Sequence, residues 1–322
     1  MNSFFCAESS RKLGEDPIGW GVNTTYYLLL EYAQPWRENI LESDPQFIPL
    51  LKFYQTFLTP RKIQIRPIFI WGESSSKDRS RAILLKQEQG FIRGYKRQEF
   101  TISKLAEVIP ILETCFTDSD SFFATTDSSQ QQRDILVCTH GTYDKCCGKY
   151  GKPFYRQAVR LVQELNLEDR VRIWQATHFG GHRFAPTAIE FPGGRYYGRL
   201  DEASLQSLLT RQGDLDFLKK VYRGWGVLPA PVQILERGLW YRHGWQWLDY
   251  GVDFQILDAN KDETFFRCQI TAQQEGDRQI IYTAEIVEDP TQNIHLRGGC
   301  KVPTAERYPQ FKLQNLSQTS SH

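Results

Sequence analysis

The sequence predicts an α+β protein in three parts, and three observations predict it. Strand-like apolar runs alternate with helical-period segments through residues 1–124. A β-α-β-β-β-α succession then fills residues 134–213, and residues 214–322 form a tryptophan-rich, mostly β region with some helix. Between the first two parts lies the polar, low-complexity stretch 125–133, read as a linker.

The elements follow in order. Residues 26–32 form a buried-strand candidate, and Phe47, Leu50, Leu51, Tyr54 and Phe57 recur at helical spacing until Pro60. Residues 62–71 alternate like a strand, 81–85 and 90–95 look like the arms of a hairpin, and 102–112 looks helical. Residues 135–137 are a short strand leading into Cys138. Pro153 opens a helix whose apolar face is Phe154, Ala158, Leu161, Val162 and Leu165. Residues 171–174 read as a second strand, and 188–191 and 195–198 read as a hairpin turning at Pro192-Gly193-Gly194. Asp201 caps a helix carrying Leu205, Leu208 and Leu209, with Gly213 as its stop. Eighty residues in this order have the size of a small thioredoxin-like α/β domain. Strands are expected at 265–270 and 279–287, followed by a polar tail from Gln314.

The 322 residues, 40% hydrophobic and 24% charged, exclude a coiled coil, a collagen or a largely disordered chain. Thirty-nine Lys plus Arg against 38 Asp plus Glu leave a net charge of +1, without the basic field of a nucleic-acid or anionic-membrane protein. The start carries no export signal and no apolar run is long enough to span a bilayer, so a cytoplasmic protein is expected. Seven cysteines, an odd number, argue against a disulfide scaffold and towards metal or redox chemistry for any cluster. Nothing in the chain identifies an oligomeric state.

Three of the seven cysteines fall within ten residues, in Cys138-Thr139-His140-Gly141-Thr142-Tyr143-Asp144-Lys145-Cys146-Cys147-Gly148. A second segment reads His178-Phe179-Gly180-Gly181-His182-Arg183-Phe184-Ala185-Pro186-Thr187. Each follows a predicted strand, so both emerge as loops at one sheet edge, where ligands are usually held. Two thiolates and two imidazoles suit zinc or an iron–sulfur cluster of mixed ligation. Gly180 and Gly181 exclude the zincin helix and let the backbone approach a bulky inorganic group.

On these two segments, and on Phe191-Pro192-Gly193-Gly194-Arg195-Tyr196-Tyr197-Gly198, the chain resembles the thioredoxin-like [2Fe-2S] ferredoxins, and most closely the sucrase/ferredoxin-like family. The resemblance implies a [2Fe-2S] cluster bound by Cys138, Cys147, His178 and His182. Family spacing, nine positions after the first cysteine, selects Cys147 and leaves Cys146 as an extra thiol. It also implies one-electron transfer or redox sensing with a redox protein partner. Sucrase activity gains no support, because no carboxylate pair sits in a sugar-binding pattern. Two thiolates and two neutral imidazoles leave the oxidised site uncharged, so its potential is expected near Rieske values, roughly −150 to +300 mV, and the outer N–H of each imidazole makes it depend on pH.

Other readings of the same residues stand beside this one. Cys138 alone would be an ordinary buried thiol, and either histidine alone a structural one. His140 is read as supporting the site from outside the ligand set, and Arg183 as either a donor to the cluster region or a surface ion pair. Cys6, Cys115, Cys268 and Cys300 are read as structural, Trp240, Trp245 and Trp247 as core, and Arg93, Lys96 and Arg97 as a solvated hairpin face. A thiol-redox enzyme is disfavoured because no Cys-x-x-Cys opens a helix. A zinc-stabilised interaction module with the same four ligands is not distinguished from the iron protein by sequence.

Overall fold

The computed structural model describes residues 4–76, 79–123, 132–274 and 278–320. Its strands are β1 (Tyr26–Glu31), β2 (Ile65–Trp71), β3 (Ser80–Gln87), β4 (Tyr95–Ile102), β5 (Arg133–Cys138), β6 (Val171–Ala176), β7 (Thr187–Phe191), β8 (Arg195–Gly198) and β9 (Tyr222–Trp225). These nine make one mixed sheet in the order β4-β3-β1-β2-β6-β5-β7-β8-β9. β1 and β2 are parallel, as are β5 and β6, and the other neighbours are antiparallel. The sheet therefore takes strands from both sides of segment 125–133, most of which lies outside the described residues; Arg133 already belongs to β5.

The order from β5 onwards follows from the chain. The Lys152–Glu164 helix buries Phe154, Ala158, Leu161 and Val162 and returns the chain to β6 alongside β5. The turn after Phe191 folds β8 back on β7. Asp201 caps the Glu202–Thr210 helix with a reciprocal Ser204 capping box. That helix stops at Arg211 in the left-handed region, two residues before the expected glycine.

A separate antiparallel sheet follows. Its strands β10 (Gly251–Ala259), β11 (Phe265–Gln273) and β12 (Gln279–Glu288) come first, then the small β13 (Ile294–Leu296) and β14 (Glu306–Tyr308) pair, then β15 (Phe311–Ser320). The four-stranded order is β10-β11-β12-β15. Alternation on β11 and β12 buries Cys268, Ile270, Ala272, Tyr282, Ala284 and Ile286. These residues share one core with Leu235 and Leu239 of the Ala230–His243 helix. The protein is thus a mixed α+β structure with a large mixed sheet, helices and a separate antiparallel β region. Among the described residues no helix is long and apolar enough to cross a membrane.

Several expectations shift. The second hairpin arm is β4, at 95–102 rather than 90–95, and the helix expected over 102–112 runs Val108–Thr117 after a 3-10 turn. The polar tail is β15, an edge strand whose outward residues need no apolar character. Trp225, Trp240 and Trp247 are fully buried core residues. Arg97 is not solvated: it is buried, with its Nε 3.1 Å from Asp134.

That contact shows how the sheet curls. Five strand steps separate β4 from β5, about 24 Å across a flat sheet. Instead Tyr95 donates its backbone N–H to Pro192 at 2.9 Å, and Arg97 reaches Asp134. Arg172 donates from Nε to Asp134 at 2.8 Å and grips both oxygens of Glu99 at 2.9 and 3.1 Å, while Trp174 Nε1 donates to Asp134 at 2.8 Å. Tyr27, Tyr95 and Phe191 pack inside the curl.

Burial acts to raise the Glu99 carboxyl, but Arg172 and Arg97 outweigh it and bring it down to about 2. A folded value below the ordinary 4.5 means stability that is present above that pH and lost as pH falls towards 2. Urea unfolding of Glu99→Gln against wild type should show a deficit on the order of 2–3 kcal/mol near neutrality that closes between about pH 4.5 and 2. A deficit independent of pH would contradict this account.

Candidate metal centre

Cys138 is the last residue of β5 and pairs in register with Ala176 of the parallel β6, so the loops carrying the two motifs leave the sheet together. Thr177 fixes the second loop to β2, donating its N–H to the Phe69 carbonyl at 2.9 Å and accepting the Phe69 N–H on Oγ1 at 3.0 Å. Cys147 opens a π turn, Cys147–Gly151, that runs into the Lys152–Glu164 helix. The helical stretch therefore begins several residues before Pro153. Gly151 is required by close approach: a Cβ there would lie 1.9 Å from the Cys138 carbonyl oxygen.

Cys138, Cys147 and His178 offer ligand atoms that all lie within 4.8 Å of one another. His178 Nδ1 is 3.8 Å from the Cys138 sulfur and 3.6 Å from that of Cys147. The Tyr143 ring stacks on His178 with centroids 4.0 Å apart. His182 stands outside this close trio, its ring centroid 5.0 Å from that of His178. Gly181 turns the chain towards it at φ 76°, and the Arg223 guanidinium packs where a Cβ would be, 2.4 Å away. Arg223 also donates to the Gly180 carbonyl at 3.1 Å and the Trp20 carbonyl at 2.7 Å.

The second histidine has a one-sided environment. Its Nε2 donates to the Gly298 carbonyl at 2.8 Å, while its Nδ1 is buried without a hydrogen-bond partner. A carbonyl on one ring nitrogen and a bare lone pair on the other is the arrangement of a metal-binding imidazole. His140 has both nitrogens engaged: Nδ1 accepts the His178 backbone N–H at 3.3 Å and Nε2 donates to the Arg37 carbonyl at 3.0 Å. It positions His178 rather than offering a ligand. Arg183 forms a buried ion pair with Glu15 at 2.8 Å, between the rings of Trp20, Phe184 and Tyr308. Of the two readings of Arg183, the ion pair is present but buried rather than on the surface, because the N-terminal segment that carries Glu15 covers it.

Electrostatics favour the ligand forms. Burial opposes ionisation of Cys138, yet the Cys147 thiol and His178 carry its pKa well below the ordinary value. Cys147 is pushed up by its hydrogen bond to Cys138 and by burial, so of the two thiols Cys138 is the more readily ionised. Burial lowers His182, and His178 lowers it further, keeping the imidazole neutral.

The Sucrase/ferredoxin-like family profile matches residues 17–224, about two thirds of the chain. The chain belongs to the sucrase/ferredoxin-like family. It is also similar to "Altered inheritance of mitochondria protein 32" of Meyerozyma guilliermondii, with 30% identity over 97 residues, covering 28% of this chain and 34% of that protein. The match thus spans about a third of that relative's length. No solved structure matches. All four motif residues lie within the family stretch. Sequence reasoning missed Tyr143 as a stacking partner and the Gly298 carbonyl. The former sits inside the first motif and was open to view, but nothing in the sequence links Gly298 to His182.

Proposed function

We propose that Cys138, Cys147, His178 and His182 hold a [2Fe-2S] cluster and that the protein carries single electrons, or senses redox state, with a redox protein partner. The observation that carries this reading is the bare, buried Nδ1 of His182 beside an imidazole that faces two thiols. This is a two-sulfur, two-nitrogen donor set with its outer N–H already assigned. A thioredoxin-like unit is part of the proposal, supported by the sheet order β6-β5-β7-β8 with only β5 and β6 parallel.

The cluster would supply one-electron chemistry; the chain's own residues bind, orient and shield. Gly298 fixes the His182 ring, and Tyr143 and His140 fix that of His178. Buried Phe179 and Phe184 belong to the same loop and exclude water from its inner side. His178 and Tyr143 line a cleft that also includes Glu42 and Glu38, the latter paired with Lys301 at 2.7 Å, and this opening is the face for electron exchange with a partner. Seven free cysteines suit a reducing compartment, and we assign the protein to the cytoplasm on that basis.

A second reading, one zinc ion in the same site, draws on the Nδ1 to sulfur distances. They are close to the spacing of about 3.6 Å expected around a single tetrahedral ion. Anaerobic purification with iron and zinc analysis and spectroelectrochemistry separates the two. The iron reading requires a red-brown protein bleached by dithionite, with a pH-dependent potential within roughly −150 to +300 mV. A colourless zinc protein, or a pH-invariant potential near the all-cysteine value of about −400 mV, would replace or refute it.

A further inference from the structure

Cys146 and Cys147 are adjacent, yet their thiols serve different clusters. Cys147 joins Cys138 and His178, whereas Cys146 meets Cys6 and Cys300. The three sulfurs of the second group form a nearly equilateral triangle: Cys6 to Cys146 3.5 Å, Cys146 to Cys300 3.3 Å and Cys300 to Cys6 3.6 Å. They come from the N-terminal helix, the first motif and the loop after β13, and two of them lie outside the 17–224 family stretch. The carboxylate of Asp144 lies in the same group and is 2% exposed. Its oxygens accept the backbone N–H groups of Cys146 at 2.8 Å and Cys300 at 2.9 Å. Among the described residues no cation forms an ion pair with it, although a buried carboxylate ordinarily has one or binds a metal.

We infer that Cys6, Cys146 and Cys300, with Asp144 as the fourth ligand, form a second metal site that binds zinc. Sulfurs at this spacing place an ion about 2.3 Å from each roughly 1 Å out of their plane, a pyramid with its fourth position open; a planar three-coordinate ion would need about 4 Å between sulfurs. Cys6 donates its backbone N–H to the Cys300 sulfur at 3.4 Å, stabilising negative charge there. Phe4, Phe5, Ala7, Tyr150 and Ala185 form a largely apolar wall. Lys145, Arg11 and Arg297 are held against its aromatic rings, positive charge beside an anionic zinc–thiolate centre, while Lys149 pairs with Glu8 at 2.9 Å. Cys300 is only half-buried and leaves the access route.

Metal analysis of the full chain tests this separately from the first site, because the Cys6→Ser/Cys300→Ser variant removes sulfurs of the second group only, while Cys138 and Cys147 keep whichever metal the first site holds. Wild type should hold one zinc beyond whatever metal the first site holds, and the variant should lack that one. The Cys6→Ser/Cys300→Ser variant should lose zinc about tenfold or more while keeping its iron and colour. Cobalt substitution should add thiolate-to-metal charge-transfer bands that the variant lacks. Should the variant fail to fold, X-ray absorption at the zinc edge of wild type still decides, since the second site requires a zinc shell of three sulfurs and one oxygen rather than two sulfurs and two nitrogens. Wild type without that zinc, zinc retained in a folded variant, or a disulfide joining two of the three sulfurs would overturn the proposal.

Discussion

The Cys147→Ser variant is expected to purify colourless, with visible absorbance and iron per chain reduced about tenfold or more, and Cys138→Ser should do the same. Both sulfurs face His178 Nδ1 from buried positions, and a serine hydroxyl there supplies no soft ligand. Cys146→Ser should keep the colour, because its sulfur lies with Cys6 and Cys300 instead. Visible and EPR spectra of the three variants beside wild type check this. A colourless Cys146→Ser with a coloured Cys147→Ser would transfer the ligand role and undo the site as described. His182→Cys should retain a cluster at a lower potential, since a thiolate adds negative charge where a neutral imidazole stood.

The largest loss of stability is expected at Asp134→Ala. The carboxylate is fully buried and accepts from Arg97, Arg172 and Trp174 at 2.8–3.1 Å. Removing it leaves two guanidinium groups facing each other in the curl of the sheet, with Glu99 to counter them. Breaking a buried pair from one side costs about 3–5 kcal/mol. Denaturant unfolding, with the iron content of each sample matched, measures the difference. A loss below about 1 kcal/mol, the value of an exposed pair, would mean that water reaches the network and that the curl is looser than described.

How much of this was legible in sequence depended on the range of the interaction. β1 announced itself as an apolar run and β5 as a short one ahead of Cys138, because burial on both faces leaves no polar alternation. The 188–198 hairpin and the Asp201 cap were legible because turn and cap chemistry is local. The two motif loops could be placed together once their strands were read as parallel neighbours. What stayed hidden depends on partners remote in the chain. Arg97 looks like any surface arginine until the sheet curls and brings Asp134 to it. Cys6 and Cys300 have no periodic relation to Cys146, so those two resembled ordinary buried cysteines and Cys146 an extra thiol of the first motif. β15 is polar because one of its faces and its outer edge meet solvent, which concealed a strand in what reads as a tail.

The seam between β4 and the β7–β8 turn also bears on biosynthesis. Tyr95 leaves the ribosome about a hundred residues before Pro192, a delay of some 5–20 s at ordinary elongation rates of about 5–20 residues per second. Throughout that interval β4 is a naked edge that a neighbouring nascent chain could join. Arg97 points inward from that edge, paired with Glu99 of its own strand and then with Asp134, and an inward-pointing charge of this kind makes burial against a foreign strand costly. The same arginine that closes the finished sheet therefore guards the unfinished one.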